Sequence, residues 1–138
     1  MDTTRFNVLL VDDEPDFLYP LVRRLTRRNL IVESAGSGPT ALEIIARKPV
    51  DVVVLDVKMP GMGGLEILRA IKANHEEIEV ILLSGHASID TAMKGISDGA
   101  FDYLMKPVDF DELFFKLQDA YEKKSLREMR KAQGGKGN

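Results

Sequence analysis

The 138-residue sequence contains no cysteine and only two histidines, His75 and His86. The absence of cysteine excludes disulfide-bonded scaffolds, thiolate metal sites and cysteine nucleophiles, and two histidines are too few for a multi-histidine metal site. No apolar run approaches the ~20 residues that a membrane-spanning helix needs, and the N-terminus lacks the apolar segment of a signal peptide. We therefore expect a cytoplasmic protein that makes no membrane contact.

The bulk composition indicates one domain with a hydrophobic core. Hydrophobic residues make up 44% of the chain and charged residues 30%, which is ordinary for a soluble globular protein. Residues 122–138 hold six basic and two acidic residues, although the net charge of the whole chain is −3. An acidic body with a basic end is not typical of a nucleic-acid-binding domain, so we expect no direct nucleic-acid contact. We divide the chain into a domain over residues 1–124 and a basic helical extension with a flexible tail over residues 125–138, with fraying from Gly134 and Gly135.

Apolar runs alternate with amphipathic stretches five times. The runs are short and rich in Val, Ile and Leu, as in strands buried on both faces of a parallel sheet, and they cover residues 7–11, 31–34, 51–56, 80–83 and 103–105. Helical spacing predicts helices over residues 16–29, 39–48, 64–74 and 89–98 and a fifth from Asp109, although Pro20 should delay or kink the first. Alternating units of this kind predict a doubly wound α/β sheet, in which ligands bind at the carboxyl ends of the strands.

Reactive polar side chains fall at four of these strand ends: Asp12 and Asp13, then Asp56, Ser84 and Lys106. Crowded carboxylates repel one another, and a buried one is costly unless it is paired or bound to a cation. Oxygen ligands of this kind suit Mg²⁺, which would turn the acidic cluster into a site. Asp56 is then a candidate nucleophile for phosphoryl transfer, with Lys106 as a second positive charge and the Ser84 hydroxyl as a hydrogen-bond donor.

The sequence resembles the receiver domain of two-component response regulators over roughly residues 5–124. The resemblance rests on "VLLVDDEPD", "DVVVLDVKMPGMGGLEIL", "VILLSGHASIDTAMKGISDGAFDYLMKPV" and the helix start at Asp109, all in order. It implies a flavodoxin-like, five-stranded parallel sheet in the order 2-1-3-4-5 with five helices. It also implies a phosphoacceptor protein, not an enzyme that turns over a metabolite, which catalyses its own phosphorylation and slow autodephosphorylation.

The resemblance assigns roles residue by residue. Asp56 would accept the phosphoryl group from a phosphohistidine on a sensor histidine kinase or a histidine phosphotransfer protein. Mg²⁺, with Mn²⁺ as a substitute, would be bound by Asp13 and Asp56 directly, by Asp12 through water and by the backbone carbonyl of Lys58. The residues implied in phosphate binding and switching are Ser84, Tyr103 and Lys106, with a cis peptide bond before Pro107.

Phosphorylation in this family changes the face made by the fourth helix, the fifth strand and the fifth helix. In this chain that face would include residues 87–95, Tyr103 and the helix from Asp109, and it would control an output domain, a partner or a phosphorylation-linked homodimer. Lys58 and His86 lie two residues after Asp56 and Ser84, at positions that flank the attacking water in the family. We hypothesise that they tune dephosphorylation; the alternative is that both point into solvent.

Other function classes fit the residues less well. An aspartate-nucleophile phosphatase of the haloacid dehalogenase kind needs an early Asp-x-Asp motif, but Asp12 and Asp13 are adjacent here. In a flavin carrier of similar fold, a Ser/Thr-rich phosphate loop would follow the first strand, where this chain has acids. A receiver-like domain that no longer accepts phosphate is disfavoured by the full set of Asp13, Asp56, Ser84 and Lys106. Four arginines of the first helix form either a solvated face or a kinase-docking surface: Arg23, Arg24, Arg27 and Arg28.

Overall fold

Strands and helices alternate along the part of the chain that the computed structural model describes, residues 5–59, 61–85 and 89–136, with side chains through residue 133. The strands are β1 (Asn7–Val11), β2 (Ile31–Ala35), β3 (Val52–Asp56), β4 (Glu79–Ser84) and β5 (Asp102–Met105). The helices are α1 (Pro15–Arg27), α2 (Gly38–Arg47), α3 (Gly64–Asn74), α4 (Ile89–Ser97) and α5 (Phe110–Lys136). All ten elements were predicted from the sequence.

The five strands form one parallel sheet in the order β2-β1-β3-β4-β5. This order confirms the predicted doubly wound fold. β1 and β3 lie side by side, with Val11 opposite Leu55, so the residues that follow both strands meet at one edge. β3 is buried along its whole length, whereas the edge strand β2 is partly exposed, because only the central strands have neighbours on both sides.

Alternate residues of each strand pack on opposite faces of the sheet. Val8 and Leu10 belong to a core cluster with residues of α1 and α5, whereas Leu9 and Val11 belong to a second cluster with residues of α2 and α3. α4 lies on the second face, where Gly95 packs against the Leu82 side chain. This two-residue period explains why the strands are apolar at successive positions.

Many element bounds differ from the predictions by one or two residues. α1 begins at Pro15 and contains Pro20 inside the helix, so this proline does not delay the helix start. β4 begins one residue earlier than predicted, at the charged residue Glu79, which is fully buried. α5 extends from Phe110 to Lys136. Among the described helices, none is both long and apolar enough to cross a membrane.

Candidate functional site

Four acidic side chains meet at the carboxyl edge of the sheet. Asp12, Asp13 and Glu14 follow β1, and Asp56 ends the neighbouring strand β3. Each offers one carboxylate oxygen, and these four oxygens lie within 4.8 Å of one another. Asp12 and Asp56 are buried, with 2% and 4% of their surface exposed, whereas Asp13 and Glu14 are exposed. The cluster therefore has a buried base and an open rim, and its mutual repulsion favours a cation.

Lys106, which follows β5, is the basic side chain of this edge. Its Nζ lies 2.6 Å from Asp12 Oδ2 and 3.2 Å from Glu14 Oε1, and a longer distance of 3.7 Å separates it from Asp56 Oδ2. Burial lowers the pKa of Lys106, but the hydrogen bonds to Asp12 and Glu14 and the charges of Asp12 and Asp56 together outweigh burial, so the pKa is raised above its usual value. Lys106 is therefore a firmly charged ammonium, and it neutralises only part of the acidic cluster.

The Asp56 carboxylate is held by its own loop. The backbone N–H of Lys58 donates to Asp56 Oδ1 at 3.2 Å. Burial raises the pKa of Asp56 above its ordinary value, and the carboxylates of Asp12 and Asp13 raise it further, against the Lys58 hydrogen bond and the Lys106 charge. The charged form of Asp56 is thus less favoured in the protein alone than in a free aspartate, and a bound cation would favour it.

The loop after Asp56 is packed closely against the next helix. The backbone N–H of Gly64, the first residue of α3, donates to the Val57 carbonyl at 3.0 Å. A Cβ at Gly64 would lie 2.6 Å from the Asp56 carbonyl oxygen, so only glycine fits there. Gly61 has a φ of 78°, a conformation that glycine adopts without strain. Gly61 and Gly64 therefore shape the loop that follows Asp56.

The remaining predicted site residues lie at the same edge or outside the described residues. Ser84 ends β4 and is buried, with 3% of its surface exposed. Tyr103 of β5 packs against the second core cluster, and its hydroxyl is buried without a hydrogen-bond partner among the described residues. The Lys58 side chain is exposed, and the Lys106–Pro107 bond is cis. His86 lies outside the described residues.

Two contacts of this edge were not predicted from the sequence. Glu14 accepts a hydrogen bond from Lys106 Nζ at 3.2 Å. Phe17 places its ring centroid 4.3 Å from Lys106 Nζ. Glu14 carried a weak signal in its position beside Asp12 and Asp13, whereas Phe17 carried none, since an aromatic residue in an amphipathic helix is ordinarily assigned to the core.

The comparisons with known proteins agree with this geometry. The family model of the response regulator receiver domain matches residues 8–118. The DNA-binding transcriptional regulator NtrC of Escherichia coli is 40% identical over 105 residues, which cover 76% of this chain and 22% of NtrC. A putative response regulator, NtrX-like, of Rickettsia bellii is 39% identical over 123 residues, or 88% of this chain and 26% of that protein. The chain therefore spans about a quarter of the length of these curated relatives.

Solved structures match over most of this chain. A response regulator receiver domain protein from Clostridium thermocellum is 35% identical with a TM-score of 0.84, covering 88% of this chain and 98% of that one. NtrX from Brucella abortus is 31% identical with a TM-score of 0.87, covering 93% of this chain and 30% of that one. These matches exclude the phosphatase and flavin-carrier alternatives. The chain belongs to the response regulator receiver domain family.

Proposed function

We propose that this receiver domain accepts a phosphoryl group on Asp56 from a phosphohistidine of a sensor histidine kinase or a phosphotransfer protein. The observation that carries this proposal is the four-carboxylate cluster around a buried Asp56, with one lysine ammonium 3.7 Å from its Oδ2. Phosphoryl transfer depends mainly on positioning and charge neutralisation, and this edge of the sheet offers both.

The donor set of the cluster fits Mg²⁺. All four side chains present carboxylate oxygens, which are the hard ligands that Mg²⁺ takes, and the exposed rim leaves room for the waters that it retains. We propose that Asp13 and Asp56 bind the ion directly, Asp12 through water, and Lys58 through its backbone carbonyl, with Mn²⁺ as a substitute. When bound, the ion would neutralise the charge of the phosphoryl oxygens.

The chain's own residues have distinct parts in the transfer. An oxygen of the Asp56 carboxylate attacks the phosphorus, the new P–O bond forms as the P–N bond to the donor imidazole breaks, and the electron pair leaves with the imidazole. Lys106 shifts from Asp12 towards a phosphoryl oxygen, and the Ser84 hydroxyl donates to another. Neither residue gives up a covalent bond, so their contribution is electrostatic.

Incubation with acetyl phosphate and Mg²⁺ tests the central proposal. Wild type should gain an acid-stable, base-labile phosphate that Asp56→Asn lacks, and removal of Mg²⁺ should abolish it. The control is Asp119→Asn, since Asp119 is exposed on α5 far from the cluster. Failure of the wild type to become labelled would contradict the proposal and favour a receiver-like domain that no longer accepts phosphate.

Ser84 and Tyr103 are proposed as the switch residues that respond to the phosphoryl group. The partly buried Tyr103 side chain packs against the second core cluster, on the strand beside the one that Ser84 ends, and this neighbourhood supports the proposal. The face made by α4, β5 and α5 exposes large apolar side chains, including Ile89, Met93 and Met105, which suits contact with an output domain or a second copy. Beryllofluoride with Mg²⁺ should shift the NMR signals of this face in wild type and not in Ser84→Ala.

Lys58 and His86 are proposed to tune the lifetime of the phosphoryl group. The exposed Lys58 side chain is free to approach the route of the attacking water, since only its backbone N–H is fixed by Asp56. Autodephosphorylation rates of Lys58→Ala and His86→Ala measure the effect. Decay at the wild-type rate in both variants would remove the hypothesis.

The α1 arginines divide into two pairs, which narrows the candidate docking surface. The Arg24 guanidinium lies 4.0 Å from the Phe110 ring centroid, and that of Arg28 lies 4.2 Å from the Phe114 centroid. These two therefore pack on α5, and we propose that Arg23 and Arg27 face the kinase. Charge reversal of this pair should slow transfer from a kinase and leave acetyl phosphate labelling unchanged, whereas Arg130→Glu should change neither. Equal slowing with both donors would contradict a docking role.

The output of the signal is proposed from the relatives alone. NtrC is named a DNA-binding transcriptional regulator, and this chain matches only 22% of its length. We propose that a segment or partner other than the receiver fold carries a transcriptional output. The length of the complete coding sequence, and the presence of further domains in it, tests this proposal directly.

A further inference from the structure

The Lys106 ammonium has an aromatic neighbour in addition to its carboxylate partners. Its Nζ lies 4.3 Å from the centroid of the Phe17 ring, within the distance at which a cation is attracted by the face of a ring. The Lys106 side chain is only 15% exposed, and its ammonium contacts both this ring and the carboxylates of Asp12 and Glu14. Phe17 thus belongs to the surroundings of a proposed reacting group.

The Phe17 ring is held in place by the fold. Phe17 lies in the first turn of α1, and its backbone N–H donates to the Glu14 carbonyl at 3.0 Å. The side chain is partly buried and packs against the first core cluster. Asp12 also accepts a hydrogen bond from the Glu14 backbone N–H at 3.0 Å, so the segment from Asp12 to Phe17 forms one fixed turn. A ring fixed in this way can restrict a flexible lysine.

A ring acts on an ammonium in a different way from a carboxylate. The carboxylates of Asp12 and Glu14 each accept a hydrogen bond from Lys106, and both compete with a phosphoryl oxygen for the same donors. The ring face attracts the positive charge without taking up a hydrogen-bond donor in this way. It therefore keeps the ammonium at the site while its N–H groups exchange carboxylate oxygens for phosphoryl oxygens.

We propose that Phe17 is a positioning residue for phosphoryl transfer, which holds the Lys106 ammonium beside Asp56 through a cation–π contact. This role rests on the proposed function, because it acts on the same reaction. Phe17 touches neither the phosphoryl donor nor Asp56 in this role, and its whole effect passes through Lys106.

The first test compares variants in acetyl phosphate labelling with saturating Mg²⁺. Phe17→Leu keeps an apolar side chain and removes the ring face, and we expect the maximal labelling rate to fall about fivefold with a smaller change in the donor KM. Phe17→Tyr keeps the ring face and should retain the wild-type rate. The control is Tyr19→Leu, because Tyr19 lies on the same helix and is 63% exposed. An unchanged rate in Phe17→Leu, or an equal loss in Phe17→Tyr, would overturn the proposal.

The second test needs no phosphorylation. A double-mutant cycle measures unfolding of wild type, Phe17→Leu, Lys106→Met and the double variant in urea. If the ring acts on the ammonium, Phe17→Leu should lower the equilibrium constant for folding by a larger factor when Lys106 is present than when Met replaces it. We expect these two factors to differ about fivefold. If the two substitutions have additive effects on the free energy of unfolding, Phe17 contributes only core packing. This result would overturn its positioning role even where wild type is labelled normally. Absence of labelling in wild type would instead contradict the proposed function.

Discussion

The two ends of the sheet both carry clustered charges, but their balance differs. At the carboxyl ends, four carboxylates cluster, and the Lys106 ammonium lies within 4 Å of three of them. At the amino ends, the acids are matched or outnumbered by bases. Buried Glu79 lies within 4 Å of three cations, and Asp51 accepts from Lys124 at 3.0 Å. The three cations around Glu79 are Lys72, Lys123 and Arg127.

This difference separates a site from a structural support. The amino-end acids are already compensated within the chain, so they need no ligand. The carboxyl-end acids retain excess negative charge in the folded chain, so a cation should stabilise them. The compensation comes largely from Lys123, Lys124 and Arg127 in the part of α5 beyond residue 118, where the match to the family model ends. Residues outside the family match therefore neutralise the acids at the amino ends of the strands.

The largest expected effect is at Arg127, whose guanidinium lies 3.1 Å from Glu79 Oε2. Its removal leaves Glu79, which has none of its surface exposed, without a hydrogen bond on that oxygen. Loss of one partner from a buried pair is strongly destabilising, and because Arg127 is partly exposed we expect Arg127→Ala to lower the free energy of unfolding by about 2 kcal/mol. Urea unfolding measures this, with the exposed Arg130→Ala as the control. Equal stability of the two variants would remove the structural distinction between the two ends.

The next effect is at Lys124, which is buried between Asp51 and Glu128. Lys124→Met should lower the free energy of unfolding by about 1.5 kcal/mol, because the hydrogen bonds that it removes are to charged groups. The loss is limited because Asp51 keeps its two hydrogen bonds from Asn7. Burial lowers the pKa of Lys124, but the hydrogen bonds to Asp51 and Glu128 outweigh burial and raise it.

The raised pKa gives this prediction a pH dependence. The stability that Lys124 adds is fully present below the unfolded lysine pKa of about 10.4 and is lost as the pH rises through the higher folded value. The difference between wild type and Lys124→Met should therefore shrink at the most alkaline pH. The exposed Lys131→Met serves as the control. A difference that grows with alkaline pH would contradict the assigned ion pairs.

The smallest effect has the opposite sign and is at Asp13, on the open rim of the carboxyl-end cluster. Asp13→Asn should raise the free energy of unfolding in EDTA by about 1 kcal/mol, the Coulomb energy of two unit charges about 4 Å apart in water. Mg²⁺ should then stabilise wild type and have much less effect on the variant. Thermal unfolding with and without Mg²⁺ measures both, with Asp119→Asn as the control. A loss of stability in EDTA would mean that the cluster is not repulsive.

Most of the site was predictable because it lies at strand ends. The apolar run of β3 stops at Asp56 and that of β1 at Asp12, and parallel strands bring their carboxyl ends to one edge. The amino-end network was not predicted. We predicted that β4 begins at Val80, and Arg127, which pairs with the buried Glu79 carboxylate, lies 48 residues away in sequence.

The arginines of α1 show the same limit. Their positions in the sequence are consistent with one basic surface, but the structure assigns Arg24 and Arg28 to aromatic rings of α5. The contact of Phe17 with Lys106 is also long-range, since one side chain lies in the first helix and the other follows the last strand.

The sequence by itself determined the alternation of strands and helices, the order of the reactive residues and the edge where they meet. These depend on local periodicity and on the geometry of parallel strands. Only the tertiary structure decided which charges are compensated, because an ion pair or a cation–π contact needs two side chains within a few ångströms, and distance along the chain does not report distance in space. The acids that follow β1 and Glu79, which begins β4, are all acidic residues at the end of a strand. The acids after β1 belong to the proposed site, whereas Glu79 is paired with Arg127 of α5.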